Sequence, residues 1–396
     1  MIKITEKEHC CGCSACQAVC PKNCITLKAD EEGFLYPSVN TTNCIKCQAC
    51  LRVCPMIHPT EEKPVTQHGW LIQNRDEAVR MDSSSGGAFS AIASSILEKG
   101  GVVFGAAYAD SFRVVHRYAE TLEEIAGFRN SKYIQTDPGN CFREVKNFLD
   151  SDRWVCFSGT PCQSEGLVRY LGHPYPKLLI VDVVCHGTAS PLIWEKYLEC
   201  QKIQEQQIDN IRFRDKYYGY KYSTMSFIKN GKALYHAGSQ MDPMLRAFFS
   251  DICDRPSCYQ CPFKKRYRVS DITLWDCFSV YDFDRDMDDD KGTTRVLCHT
   301  EKGAFAVKEI SHTIKYKAVA PDKLIKGSKE MFLSVKQNPK REQFFQDAAV
   351  MSGNKLFAKY FPMTFGIRLK TTVRHILLLT NTYSTVKILL NKVRGR

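Results

Sequence analysis

Cys10-Cys-Gly-Cys13-Ser-Ala-Cys16-Gln-Ala-Val-Cys20-Pro21 is answered later by Cys44-Ile-Lys-Cys47-Gln-Ala-Cys50-Leu-Arg-Val-Cys54-Pro55. Both stretches read C-x2-C-x2-C-x3-C-P, and each cysteine of the second stands 34 residues after its counterpart. Three closely spaced thiolates can wrap three corners of an iron–sulfur cubane in one tight loop. The fourth must come from elsewhere, and the proline redirects the chain after it. The small residues Gly12, Ser14, Ala15 and Ala49 let backbone N–H groups approach cluster sulfurs. A four-cysteine zinc site usually takes two C-x2-C pairs, and two triple runs fit it poorly.

The spacing is that of the bacterial two-cluster ferredoxins, in which the fourth cysteine of each run serves the other cluster. The expected ligands are therefore Cys10, Cys13, Cys16 and Cys54 for one [4Fe–4S] cluster, and Cys44, Cys47, Cys50 and Cys20 for the second. Cys11 and Cys24 fall outside the pattern and are read as packing or supporting residues.

The rest of the chain is framed by its size and charge. At roughly 150 residues per domain, 396 residues make two or three domains. Twenty cysteines in so long a chain point to metal or redox chemistry in a reducing compartment. The segment Met1–Cys10 lacks the apolar core of a signal peptide, and no run approaches the ~20 apolar residues of a membrane span. A cytoplasmic location is expected. Between 348 and 396 there is no Asp or Glu, and nine Lys or Arg supply most of the net charge of +12.

After the linker-like Glu61–Thr66, strand and helix patterns alternate. Trp70–Ile72 and Val102–Ala106 read as strands, around a helix with Phe89, Ile92, Ala93, Ile96 and Leu97 on one face. Asp82-Ser-Ser-Ser-Gly-Gly87 opens that helix and is either a cap or an anion-binding loop. Trp154–Ser158 and Leu178–Val184 are further strands, running into Gly159-Thr-Pro-Cys162 and Cys185-His-Gly187. This is the signature of a parallel sheet with crossover helices, whose ligands bind at the carboxyl ends of strands. Beyond Asp209 the texture changes. Ile211–Arg214 alternates like a strand, and Ser226–Leu234 reads as a hairpin with a type I′ turn at Asn230-Gly231. Cys253, Cys258 and Cys261 then cluster. Cys162, Cys185, Cys258 and Cys261 form a candidate third four-thiolate set, with Cys253 in reserve.

Several motifs in order carry a resemblance: Ser84-Ser-Gly-Gly87, Ser131-Lys-Tyr133, Gly159-Thr-Pro-Cys-Gln163, Cys185-His-Gly187 with Ser190-Pro191, Phe213-Arg-Asp-Lys216, Cys258-x2-Cys261, Ser270-Asp-Ile-Thr273 and Lys291-Gly292. Together with the N-terminal cysteine repeat, residues 5–310 resemble the coenzyme F420 hydrogenase/dehydrogenase beta-subunit family. The resemblance implies an iron–sulfur flavoprotein with FAD. Ser84, Ser85, Gly86, Gly87 and Lys132 would hold its phosphates or ribose, and Gly159, Thr160 and Pro161 would line the flavin. Family partners include a deazaflavin coenzyme and a chlorophyll derivative, and bacterial members occur among cell-surface polysaccharide genes. Trp275 and Phe278 depart from the family pattern, which implies a reshaped substrate pocket.

The expected architecture is α+β. It comprises a two-cluster ferredoxin-like domain (1–62), an α/β flavin-binding domain (63–320) and a basic helical tail (321–396). The expected function is an oxidoreductase that passes electrons between the clusters and FAD to reduce or oxidise an organic substrate or coenzyme. His186 is the candidate proton donor, and a protein such as ferredoxin is the electron donor or acceptor. The alternative is an electron-transfer subunit with no substrate of its own, serving a partner enzyme, in one version in cell-surface polysaccharide synthesis. A third reading has structural clusters and a tail that grips a membrane or nucleic acid. Nucleic acid is disfavoured, because beyond Phe365 the tail has a single aromatic, Tyr383. The apolar tail segments 375–379 and 386–393 are read as a terminal helix packed on the core, or as a peripheral contact with the inner face of the membrane or with an acidic partner.

Overall fold

The computed structural model describes residues 1–202, 207–380, 382, 383 and 386. The apolar tail segment 386–393 therefore lies outside the described residues, apart from position 386. The N-terminal repeat is visible in the backbone. Gly12 and Lys46 have φ of 74° and 56°, and Ser14 and Gln48 have φ of 69° and 61°. These left-handed residues, 34 apart, turn each cysteine run into a one-turn helix, Ala15–Ala18 and Ala49–Arg52. Between the runs, β1 (Ile25–Ala29) pairs antiparallel with β2 (Leu35–Val39).

The large sheet is built from β3 (His68–Asn74), β4 (Val102–Tyr108), β5 (Val114–Ala119), β6 (Val155–Gly159) and β7 (Leu178–Val183). A three-stranded meander follows: β8 (Asn210–Asp215), β9 (Thr224–Lys229) and β10 (Lys232–Gly238). The large sheet is completed by β11 (Ile272–Asp276), β12 (Thr294–Cys298) and β13 (Ile314–Ala318), giving the order β13-β3-β12-β11-β7-β6-β4-β5. The type I′ expectation holds at the meander hairpin, where Asn230 and Gly231 have φ of 49° and 73°.

Only β4, β6, β7 and β11 are parallel neighbours; β12, β13 and β5 run against their neighbours. The expected parallel sheet is thus the centre of a mixed one. Period-two alternation sorts the strand residues onto two faces. Val103, Cys156, Leu179 and Val181 meet helices Ala88–Glu98 and Glu301–Glu309. Phe104, Phe157, Leu178 and Ile180 meet helices Cys141–Asp150 and Pro161–Leu171.

A third core lies between the meander and helices Pro191–Gln201, Pro243–Phe249, Arg341–Val350 and Gly353–Tyr360. Phe344, Ala348 and Leu356 are fully buried there. Gly353 permits the contact, since a Cβ would sit 1.9 Å from the Lys196 carbonyl oxygen. The chain up to Phe361 therefore belongs to the folded body, and Arg246 Nη1 donates to the Phe361 carbonyl at 2.5 Å.

The N-terminal domain is fastened by arginines. Arg143 caps the first cysteine helix through the carbonyls of Ala18 and Gln17, at 2.8 and 3.0 Å. Arg341 grips Glu32 with two bonds of 2.8 and 2.6 Å. The Glu61–Thr66 linker has no regular structure, as expected.

Burying each of Phe344, Phe345, Leu356 and Phe357 is worth about 1.5–3 kcal/mol. Their sum is comparable to the ~5–15 kcal/mol that separates folded from unfolded domains. Truncation after Pro339 should therefore abolish soluble, cooperatively folded protein. Truncation after Met363 should leave the thermal unfolding transition and the iron content close to those of the full chain.

Candidate redox cavity

The carboxyl ends of β4, β6, β7 and β11 open into one cavity of about 370 Å³. The carboxyl ends of parallel strands are where α/β sheets bind ligands. Ser84, Ser85 and Gly87, Lys132, Gly159, Thr160 and Pro161, and His186 all line it. The N-terminal domain contributes Cys11 and Gly12.

Gly86 is the exception. Its N–H donates to Thr294 Oγ1 at 2.8 Å, and its carbonyl accepts from the Asn74 N–H at 2.7 Å. A Cβ there would stand 2.2 Å from the Ile72 carbonyl oxygen. Gly86 lets the serine loop lie against β3 and β12, and it does not face the cavity. Ser84 Oγ is 2.9 Å from Ser131 Oγ on the opposite wall. From behind, Lys216 Nζ donates to the carbonyls of Arg80, Ser85 and Lys291 at 2.5, 2.6 and 2.7 Å. One ammonium thus fixes the loop, and burial pushes that lysine down to about 7.

Lys132 Nζ donates to the Arg129 carbonyl at 3.1 Å and lies 5.2 Å from the centre of the Tyr108 ring. Burial pushes it down to about 7, so an anion arriving nearby would stabilise its charge. Thr160 caps the helix that Pro161 begins, and its N–H donates to Gln163 Oε1 at 2.9 Å. His116 stacks on Phe157 and donates from Nε2 to the Ser158 carbonyl at 2.7 Å. Burial holds its imidazole down at about 4, hence neutral. His186 Nε2 is 2.8 Å from Asp251 Oδ1. Nearby, burial and then the Asp251 charge push the Asp254 carboxyl up to about 8.

Cys162, Cys185, Cys258 and Cys261 also line the cavity. Cys162 lies in the first turn of helix Pro161–Leu171, and Cys185 follows β7. Cys258 lies in the short 3-10 helix Pro256–Gln260, and Cys261 follows it. Their thiols act on one another electrostatically. Burial pushes Cys185 up to about 12 and Cys261 to about 11, as long as no metal or cation offsets it. Cys253 is not of this set; it is fully buried in the core beneath the meander. Instead Cys11 joins, its thiol in hydrogen-bonding contact with those of Cys13 and Cys162.

In the N-terminal domain, Cys10, Cys16 and Cys54 interact electrostatically, and Cys13 with Cys10 and Cys16. Cys20 lines a small void together with Cys44, Cys47 and Cys50. The structure thus brings the thiols of 10/13/16/54 and of 20/44/47/50 near one another, with Cys16 also close enough to Cys50 to feel its charge. Cys24 Sγ lies 3.3 Å from Cys20 Sγ. Cys47 is the exposed member.

Residues 9–56 match the family described as 4Fe-4S dicluster domain. Residues 152–323 match the one described as the C terminus of the coenzyme F420 hydrogenase/dehydrogenase beta subunit. Over these residues the chain is similar to an iron–sulfur dicluster domain and to the F420 hydrogenase/dehydrogenase beta subunits. The second match starts just before β6 and ends beyond β13, so it takes in the wall that bears Cys162, Cys185, Cys258 and Cys261. A chain of the F420-reducing [NiFe] hydrogenase complex from Methanosarcina barkeri aligns at 15% identity and a TM-score of 0.46. The alignment covers 76% of this chain and 94% of that one, too distant a likeness to carry an argument. No curated protein matches the chain. The coarse class is therefore an electron-transferring iron–sulfur oxidoreductase.

His116 and Gly166 were invisible as site residues in the sequence; Cys11 was read only as a packing or supporting residue, and Lys216 only as part of a motif. Gly166 has a definite role: a Cβ there would sit 2.8 Å from Cys13 Sγ. Gly166→Leu should displace Cys13 and lower bound iron by about four atoms per chain, one cubane, while the second cluster persists. Iron and acid-labile sulfide analysis after anaerobic reconstitution checks this; undiminished iron would mean that Cys13 is not a ligand.

Proposed function

We propose that this protein is an iron–sulfur flavoprotein oxidoreductase. In this reading it moves electrons between its N-terminal clusters and FAD held in the cavity, and so reduces or oxidises an organic substrate or coenzyme. The observation that carries it is the succession Cys13, Cys11, Cys162, which leads in sulfur contacts from the dicluster domain to the cavity wall. The donor chemistry fits the groups required. Two four-thiol sets suit two [4Fe–4S] clusters. The cavity-wall set, Cys162, Cys185, Cys258 and Cys261, suits a third between them and the flavin. Clusters carry single electrons, and a flavin bound beside them exchanges these for electron pairs.

The chain's own residues have separable roles. Ser84, Ser85 and Gly87, fixed from behind by Lys216, offer polar groups at the start of helix Ala88–Glu98 to a phosphate. Lys132 supplies a positive charge whose hydrogen bonds go to neutral carbonyls. Gly159, Thr160 and Pro161 form the wall against which a flat ring can lie. His186, oriented by the bond of its Nε2 to Asp251, can hold or release a proton at Nδ1. The match to a beta subunit favours a second reading, in which the chain serves a partner enzyme and has no substrate of its own. In that case Cys47, at the surface, marks the end of the sulfur path nearest an external protein.

Anaerobic purification should yield one non-covalent FAD and about eight iron atoms per chain, or about twelve if the cavity-wall set holds a cluster. Stoichiometric zinc with little iron, or no flavin after reconstitution, would sink the proposal. In Cys258→Ser the count should fall from twelve to eight. Turnover of an organic acceptor without added protein separates the first reading from the second.

The pH dependence of FAD binding has a definite sign. Lys132 titrates near 7 in the free protein, and a bound phosphate raises that value. Affinity should be greatest below pH ~7 and weaken by up to tenfold per unit above it. Lys132→Met should lower affinity by roughly tenfold or more and flatten this dependence. Riboflavin, which lacks phosphate, should bind wild type and variant alike; fluorescence titration reads all three.

A further inference from the structure

Helix Phe365–Leu379 has more apolar surface than its contact with the protein covers. At 100° per residue, Ile367, Thr371, Arg374, His375, Leu377 and Leu378 share one broad face, and these are its half-buried positions. The Arg374 guanidinium lies 4.6 Å from the centre of the Tyr222 ring, and the His375 ring 5.3 Å from that of Tyr218. The opposite face carries Phe365, Leu369, Val373, Ile376 and Leu379, which are 48–81% exposed. Arg368 borders one edge of that stripe and Lys370 lies past the other, both exposed. Ile367, Leu377, Leu378, a cation and an imidazole thus face the protein, while five further large apolar side chains face outward.

We propose that this stripe docks the protein on an anionic lipid surface, with the helix lying in the plane of the interface. A helix with one apolar face and basic residues along its edges sinks that face about 5–10 Å into the headgroup–acyl boundary. The cations then meet lipid phosphates. Charge decides among the occupants. From 348 to 396 the chain has nine Lys or Arg and no Asp or Glu. Pairing this face with a second copy of itself, or with the end of the same chain, would bring like charges together. An anionic bilayer offers both an apolar interior and the opposite charge. No helix among the described residues is long and apolar enough to cross a membrane, so the contact is peripheral. The inference is independent of the redox reading.

Flotation of the full-length, cluster-loaded protein with phosphatidylcholine vesicles, and with vesicles that also contain phosphatidylglycerol, tests it. The protein should float with the anionic vesicles alone, and added salt should release it. Leu369→Ser with Ile376→Ser, and separately Arg368→Gln with Lys370→Gln, should each lower vesicle binding by roughly tenfold or more. Iron content and thermal unfolding should not change, because all four side chains are exposed. The proposal is overturned if the wild type ignores anionic vesicles at low salt, or if the Leu369/Ile376 variant binds as well as wild type. It is equally overturned if the stripe variant's only effect is to dissociate a dimer seen by size-exclusion chromatography.

Discussion

The guanidinium of Arg255 is the contact on which the arrangement of parts depends. It is fully buried, donates from Nε to the Cys10 carbonyl at 2.8 Å and from Nη2 to the Leu35 carbonyl at 3.0 Å, and lies 4.1 Å from the centre of the Tyr36 ring. Three residues further along the chain comes Cys258. One side chain therefore ties the first cysteine run to the segment that supplies half of the cavity-wall thiols. A buried arginine retains its charge because its intrinsic affinity for a proton is so high. Its Nη1 has no hydrogen-bond partner among the described residues. Positive charge is thus held between two groups of thiols, which become anionic once they ligate metal.

The mixed sheet explains why the cavity lies where it does. β4, β6 and β7 are parallel, so their carboxyl ends emerge at one end of the sheet and the loops after β6 and β7 line the cavity. β11 adds a fourth parallel strand, and Trp275 and Asp276 at its end close the cavity. Asp276 is already committed to Arg214 at 2.8 Å and to the Tyr220 hydroxyl at 3.1 Å. Phe278, the departure noticed in the sequence, stacks on Tyr220 at 5.1 Å. It shapes the approach to Asp276.

Much of this was legible before any coordinates. Ligand spacing marks three thiols of each run as neighbours, while the exchange of the fourth between the runs comes from the ferredoxin pattern. The central strands follow from short β-branched runs between turn residues. What escaped was everything set by distant contact. Cys11 adjoins Cys10 in sequence and gives no periodic signal, yet a helix begun at Pro161 brings Cys162 against it. Gly86 shares a motif with Ser84 and Ser85, yet β3 and β12 press on it from the other side. The tail helix was recognisable as amphipathic, but the pattern could not say which face would meet the protein. Aromatic rings at Tyr218 and Tyr222, remote in sequence, decide that by receiving His375 and Arg374.

The border strand β13 carries a guard against edge-to-edge pairing. Such an edge exposes unpaired backbone groups to any extended segment that comes near. Lys315 and Lys317 project from it, reaching the carbonyl of Asp286 at 2.8 Å and the carboxylate of Asp284 at 2.9 Å. An incoming strand would have to break those bonds and sit beside two ammonium groups. A newly made chain that has not yet acquired its metal is thereby protected from joining its neighbours edge to edge.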